Sequence, residues 1–219
     1  AMTRQQALQA IQIGMELMKM QKGQGYTIFA TGEMGIGNTT TSSAIASVLL
    51  GKSVAKVTGR GAGLTDTGLQ RKIDVIEHAI TVNSPDPNDA LDVLSKLGGF
   101  DIAGMTGVFL GGALYRVPIL IDGFISAVSA LVATRLCPAS TCAMLSSHVS
   151  AEPAGSMVLE SLGFCPLITA KMRLGEGTGA VAALPLLDMA LAVYHGMSTF
   201  SDIGMGRYTP QGGYQCEHS

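Results

Sequence analysis

Charge is scarce in this sequence. Asp, Glu, Lys and Arg together make up 14% of 219 residues, against roughly a quarter in ordinary soluble domains. The net charge is −2 and no basic cluster stands out, which argues against nucleic acid as a partner and against an anionic membrane face. Cysteine is sparse too. Cys137, Cys142, Cys165 and Cys216 form no C-x-x-C pair, and no histidine lies beside them at zinc-ligand spacing. They read as reduced thiols of a cytoplasmic protein, with no metal and no cofactor expected. Long apolar runs are missing as well. The longest, Ala180 to Tyr194, is interrupted by Pro185 and Asp188 and reads as too short to cross a bilayer. No secretory leader pattern opens the sequence, and there is no internal repeat, low-complexity tract or charged linker.

What is present is an apolar chain, 47% hydrophobic, long enough to bury a sizeable core. With so little charge to clothe a surface, much of that surface is expected to be covered in an oligomer. The 28 glycines fall mostly between apolar runs, as in the turns of an α/β protein. Met2 to Gln21 has the spacing of an amphipathic helix. Residues 26–30 form a short β-rich run, followed by a glycine loop and a helix from about Thr39 to Leu50. Further helices are expected over Asp66–Val82, Asp86–Leu97, Phe124–Arg135, Ala154–Leu162 and Thr178–Tyr194, and strands over Val117–Asp122 and Ala143–Leu145. Strands alternating with helices imply a mostly parallel sheet covered on both faces, an α/β, Rossmann-like fold. Ligands then bind beyond the carboxyl ends of the strands, so the loops after Ala30, Asp122 and Leu145 should share one rim.

Two segments carry the chemistry: Gly32-Glu33-Met34-Gly35-Ile36-Gly37-Asn38-Thr39-Thr40 and Gly175-Glu176-Gly177-Thr178-Gly179. Each sets one carboxylate among glycines at the mouth of a helix, where backbone can approach a ligand and an anion is favoured. The bland reading of Gly35, Gly37, Asn38 and Thr39 is a tight turn with Asn38 or Thr39 as the helix cap; it leaves Glu33 unexplained. The loop suits a phosphate monoester held on backbone N–H groups. It is not a Walker A site: Gly51-Lys52-Ser53 has the right ending, but Ala46 stands where the first glycine should be. Gly59-Arg60-Gly61-Ala62-Gly63 lacks the spacing of a dinucleotide fingerprint. Ser146, Ser147, His148 and Ser150 could supply a Ser–His pair, yet no G-x-S-x-G elbow frames them. Glu176, between Leu174 and the apolar run after it, reads as a carboxylate in an apolar setting, where burial would raise its pKa and make it a better base.

These segments, with Arg71-Lys72-Ile73-Asp74, residues 94–101, Gly104-Met105-Thr106-Gly107, residues 120–124 and residues 147–152, resemble the nicotinate-nucleotide–dimethylbenzimidazole phosphoribosyltransferases. The resemblance implies transfer of the phosphoribosyl group of nicotinate mononucleotide to a benzimidazole-type base, with release of nicotinate and inversion from β to α. It implies Glu176 as the general base and a second role for Glu33 near the azole or the ribosyl centre. Gly35, Ile36, Gly37, Asn38, Thr39, Lys72, Ser150, Gly175 and Gly177 are then expected around the ribose phosphate or the base. It further implies a homodimer, and a division into residues 1–25 as a helix of a smaller accessory domain or dimer contact, 26–195 as the catalytic domain and 196–219 as a tail. Family members carry roughly a further third of chain ahead of the part matching Met2, so the resemblance is to a C-terminal portion, and a separate N-terminal segment is an expected partner. A non-catalytic phosphate-binding module is the rival reading; a phosphatase or nucleosidase with the same loop would use water as acceptor.

Overall fold

The structure, a computed structural model, describes residues 1–206; Cys216 and part of the expected tail lie outside the described residues. The described chain divides into two compact units, one of Ala1–Ala183 and one beginning at Leu184.

The first unit is mixed α/β. It opens with helix α1 (Arg4–Gly23), closed at its start by a capping box: Thr3 Oγ1 accepts from Gln6 N, and the Gln6 side chain accepts from Thr3 N. Strand β1 (Phe29–Ala30) leads through the first glycine loop into α2 (Asn38–Leu50), which ends at Gly51 in the left-handed region. A short α3 (Val54–Val57) precedes α4 (Asp66–Asn83), capped by Thr65, and α5 (Ala90–Leu97), capped by Asp89. The helix expected from Asp86 thus starts later, because the Asp89 carboxylate takes the amides of Leu91 and Asp92. Helix α6 (Phe100–Tyr115), strand β2 (Ile119–Ile121), helix α7 (Phe124–Leu136), strand β3 (Met144–Ser146), strand β4 (His148–Ser150), helix α8 (Gly155–Ser161) and strand β5 (Ile168–Met172) follow. Helix α9 (Thr178–Gly196) runs from the first unit into the second and contains Pro185.

Two small parallel sheets result. One has the order β1-β2-β3, with Phe29 opposite Ile119 and Ile119 opposite Met144; the other pairs β4 with β5. The central strand β2 is wholly buried (Ile119, Leu120, Ile121 at 0%), as a strand covered on both faces must be.

Helix α6 was not expected, nor were α3, β4 and β5. Four glycines and an apolar circumference hide the helical period of α6. The glycines have a packing purpose: α6 lies so close on α1 that a Cβ at Gly107 would stand 1.9 Å from the Ile11 carbonyl oxygen, and one at Gly14 only 2.1 Å from that of Gly104. The expectation about the apolar C-terminal run is also corrected. Helix α9 is 19 residues long with a mean hydropathy of 1.3, enough by length and composition to cross a membrane.

The α1–α6 contact yields a contrast within one helix. Gly107→Ala drives a methyl group into backbone and is expected to cost about 2 kcal/mol or more. Gly104→Ala, whose Cβ would meet nothing within 4 Å, should instead gain about 0.5–1 kcal/mol from helix propensity. Thermal unfolding of the two variants beside the parent checks both signs.

Candidate active site

The parallel strands deliver their following loops to one concavity of about 790 Å³, within the size range of small-molecule sites. From the loop after β1 it receives Glu33, Gly35, Ile36, Gly37, Asn38 and Thr39; after β2, Asp122 and Gly123; from β4, His148 and Ser150; after β5, Arg173, Gly175 and Glu176. The loop between α3 and α4 adds Arg60 and Gly61, and α4 adds Lys72. Gly177 lies just behind this wall, its N–H turned to Asp122. The segment expected as a loop after Leu145 reaches the cavity through His148, but as strand β4, into which Ser147 passes the chain directly.

The first glycine loop is arranged differently from a capped turn. Gly37 occupies the N-cap position of α2 at φ 88° and no side chain caps the helix. Asn38 instead donates its amide to the Glu33 carboxylate, and Thr39 accepts from Lys72. The Asn or Thr cap of the bland reading is therefore absent; Thr40 N donates to the Gly37 carbonyl (2.9 Å), and the N–H groups of Asn38 and Thr39 remain at the helix start for an anion. Glu33 folds back over Gly35, where a Cβ would sit 2.7 Å from its Oε1. Partial burial raises the Glu33 pKa; the Asn38 hydrogen bond opposes this and the nearby Asp101 adds to it.

Lys72 is 8% exposed although it lies on a helix. Its ammonium donates to Thr39 Oγ1 (2.9 Å) and to the Gly59 carbonyl (3.0 Å), leaving one of three protons for a ligand. Among the described residues it forms no ion pair. Burial pulls its pKa down and the field of Glu152 pushes it back up. A buried cation facing a cavity without an ion-pair partner is suited to an anion supplied from outside. Glu152 itself keeps a buried Oε2 without a hydrogen-bond partner.

Glu176 departs from expectation. Its side chain is exposed, so the apolar setting read from its neighbours is not what the fold provides. The loop turns left three times in succession: Gly175, Glu176 and Gly177 have φ of 78°, 60° and 83°. At a non-glycine residue that conformation costs roughly 1–2 kcal/mol, so it persists only where the surroundings enforce it. Asp122, 3% exposed, accepts from Gly177 N (3.0 Å) on Oδ2 and from Gly179 N (2.9 Å) and Ala180 N (3.0 Å) on Oδ1. On the other side the two glycine loops touch, since a Cβ at Gly32 would lie 2.6 Å from Gly177 N.

The Ser–His pair exists in space but is not poised for attack. Ser147 is fully buried, and its hydroxyl donates to the Ile121 carbonyl (2.5 Å) while standing 3.1 Å from His148 Nδ1. Burial lowers the His148 pKa, partly offset by Asp122, whose Oδ1 is 3.9 Å away. Arg60 and Arg173, both exposed at the cavity, were not singled out from the sequence; Arg60 is held by the Leu64 carbonyl (2.8 Å) and by Asp66.

A phosphoribosyltransferase family model matches residues 1–205, and the chain belongs to that family. It is 50% identical over 210 residues to the nicotinate-nucleotide–dimethylbenzimidazole phosphoribosyltransferase of Ruminiclostridium cellulolyticum, covering 96% of this chain and 60% of the relative. The enzyme of the same name from Acetivibrio thermocellus is 50% identical over 211 residues, with the same two coverages. Among solved structures, CobT from Thermus thermophilus superposes with a TM-score of 0.87 at 37% identity, over 95% of this chain and 62% of that one. The chain thus spans about three-fifths of the length of the curated relatives it matches.

Two outcomes follow from this geometry. Lys72→Ala should weaken binding of inorganic phosphate at least tenfold, a loss of about 1.5–3 kcal/mol for a charge-assisted hydrogen bond, as read by titration calorimetry. For His148, the unfolded chain binds the proton more readily than the folded one between the lowered folded pKa and 6.5. Its contribution is therefore complete above 6.5 and is lost as pH falls below it. The melting temperature should drop in that window, and less steeply in His148→Gln.

Proposed function

We propose that this chain carries the site for transfer of the phosphoribosyl group of nicotinate mononucleotide to dimethylbenzimidazole or a related base. The observation that carries the reading is the composition of one cavity: an uncapped helix start, a buried Lys72 that forms no ion pair among the described residues, and the glutamates Glu33, Glu152 and Glu176 in its lining. The phosphate would sit on the α2 N–H groups and Lys72, with Thr39 and Ser150 beside it. The flat aromatic base would meet the exposed apolar side chains of Met34, Ile36 and Leu174 at the mouth.

In the reaction the C1′–N bond to nicotinate breaks and a bond from the azole nitrogen to C1′ forms on the opposite face. While bonded to C1′ the nicotinate ring is a pyridinium; on cleavage its nitrogen takes the bonding pair and departs neutral, so no acid is needed. The proton lost by the azole N–H goes to a carboxylate, assigned here to Glu176, while Glu33 positions the azole or eases positive charge at C1′. Holding donor and acceptor in line supplies much of the rate. A second assignment has its own support: burial raises the Glu33 pKa, which favours Glu33 as proton acceptor. The names of the longer relatives and the family match support the reaction class. Exposed Ile13, Leu17 and Met20 along α1 support a homodimer.

The deciding measurement is nicotinate release from nicotinate mononucleotide, with and without dimethylbenzimidazole. Base-dependent release is expected, with kcat falling about 10²–10⁴-fold in Glu176→Gln, the usual loss for a general base. If Glu33→Gln shows that loss and Glu176→Gln does not, the roles exchange. Release that appears only when the additional segment of the longer relatives is supplied in trans would make this chain a partner-dependent phosphate-binding unit.

A further inference from the structure

Glu176 is exposed at the cavity wall, and among the described residues no hydrogen bond or ion pair fixes its side chain. What is fixed is its backbone. The three left-handed residues 175–177 end in a run of amides that converge on a single group: Gly177 N on one Asp122 oxygen, Gly179 N and Ala180 N on the other. Asp122 in turn sits at the end of the buried central strand, with its own N–H directed to Thr31 Oγ1 (3.3 Å), which donates to the Leu120 carbonyl (2.8 Å). The far side of the turn is closed by His148, whose ring would collide with any Cβ at Gly179 (1.9 Å). Both carboxylate oxygens of Asp122 thus accept from the loop.

We propose that Asp122 is the positioning residue for Glu176. It holds the backbone in a conformation that a non-glycine residue otherwise avoids, and so sets the point from which the Glu176 carboxylate reaches the acceptor. The proposal rests on the reading of Glu176 as proton acceptor. Asparagine at 122 retains one acceptor oxygen and turns an NH₂ toward loop N–H groups, so at least one of the three bonds is lost.

The test is a double-mutant cycle on nicotinate release by the full chain. Asp122→Asn is expected to lower kcat on the order of 10–100-fold while KM for nicotinate mononucleotide changes less than about threefold. In a Glu176→Gln background the same change should lower kcat less than about threefold, although the melting temperature falls equally in both. An equal kcat loss in both backgrounds, or no loss in the parent, overturns the proposal. If Asp122→Asn does not fold, Asp122→Glu keeps charge and two acceptors but displaces them by a methylene; the same cycle and the same criteria apply. Should Glu176→Gln keep full turnover, or the parent chain release no nicotinate, it is the functional reading that fails. The clamp is then read by amide hydrogen exchange: selective loss of protection at Gly177, Gly179 and Ala180 in Asp122→Asn supports it, and unchanged protection there overturns it.

Discussion

The three amides gathered by the Asp122 carboxylate join the most buried strand of the molecule to its most strained turn. Without that junction the loop after β5 would be a glycine-rich segment free to relax, and the helix behind it would begin elsewhere. With it, loops separated by more than fifty residues in sequence meet at one rim. The sheet is otherwise slight: its strands are two or three residues long, and most of the core is helix against helix. The short strands serve chiefly to bring chain ends to the right place.

Charge is used with similar economy. In a chain with few ionisable side chains, a lysine placed on a helix and almost wholly buried is an expensive choice. Its ammonium is steadied by a hydroxyl and a carbonyl, both neutral, and only the more distant field of Glu152 offsets its positive charge at the cavity. The start of α2, left without a capping side chain, adds partial positive charge to the same space. The two effects reinforce each other because Thr39, in the first turn of that helix, is also the hydroxyl that holds Lys72.

Much of this was legible in the residues. The strand–loop–helix unit after Phe29, the helices α4, α7 and α9, and the gathering of the loops after Ala30 and Asp122 at a shared rim follow from apolar spacing and glycine placement; the second glycine loop reaches that rim from β5, a strand the apolar pattern does not announce. Other parts were illegible for definite reasons. Helix α6 has no polar face, so its period is silent, and its glycines look like turns until the proximity of α1 explains them. The exposure of Glu176 depends on the backbone turning left at three residues, which neighbouring apolar letters do not encode. That Asn38 would hold Glu33 instead of capping its helix is likewise a matter of three-dimensional competition between two partners for one side chain. Asp122 read as a strand terminus; its three donors come from a segment about fifty-five positions away, a distance no local pattern spans.

The Glu176 loop combines a rigid root with an unrestrained tip. The backbone at 175–177 is pinned, but the side chain beyond it meets solvent and keeps its own torsional freedom. Such a residue behaves as a short arm on a fixed pivot. On the proposed reading, one carboxylate could meet nitrogen atoms carried by rings of different breadth without any movement of the fold, so breadth of acceptor choice would be governed by the cavity mouth, while proton removal stayed indifferent to it.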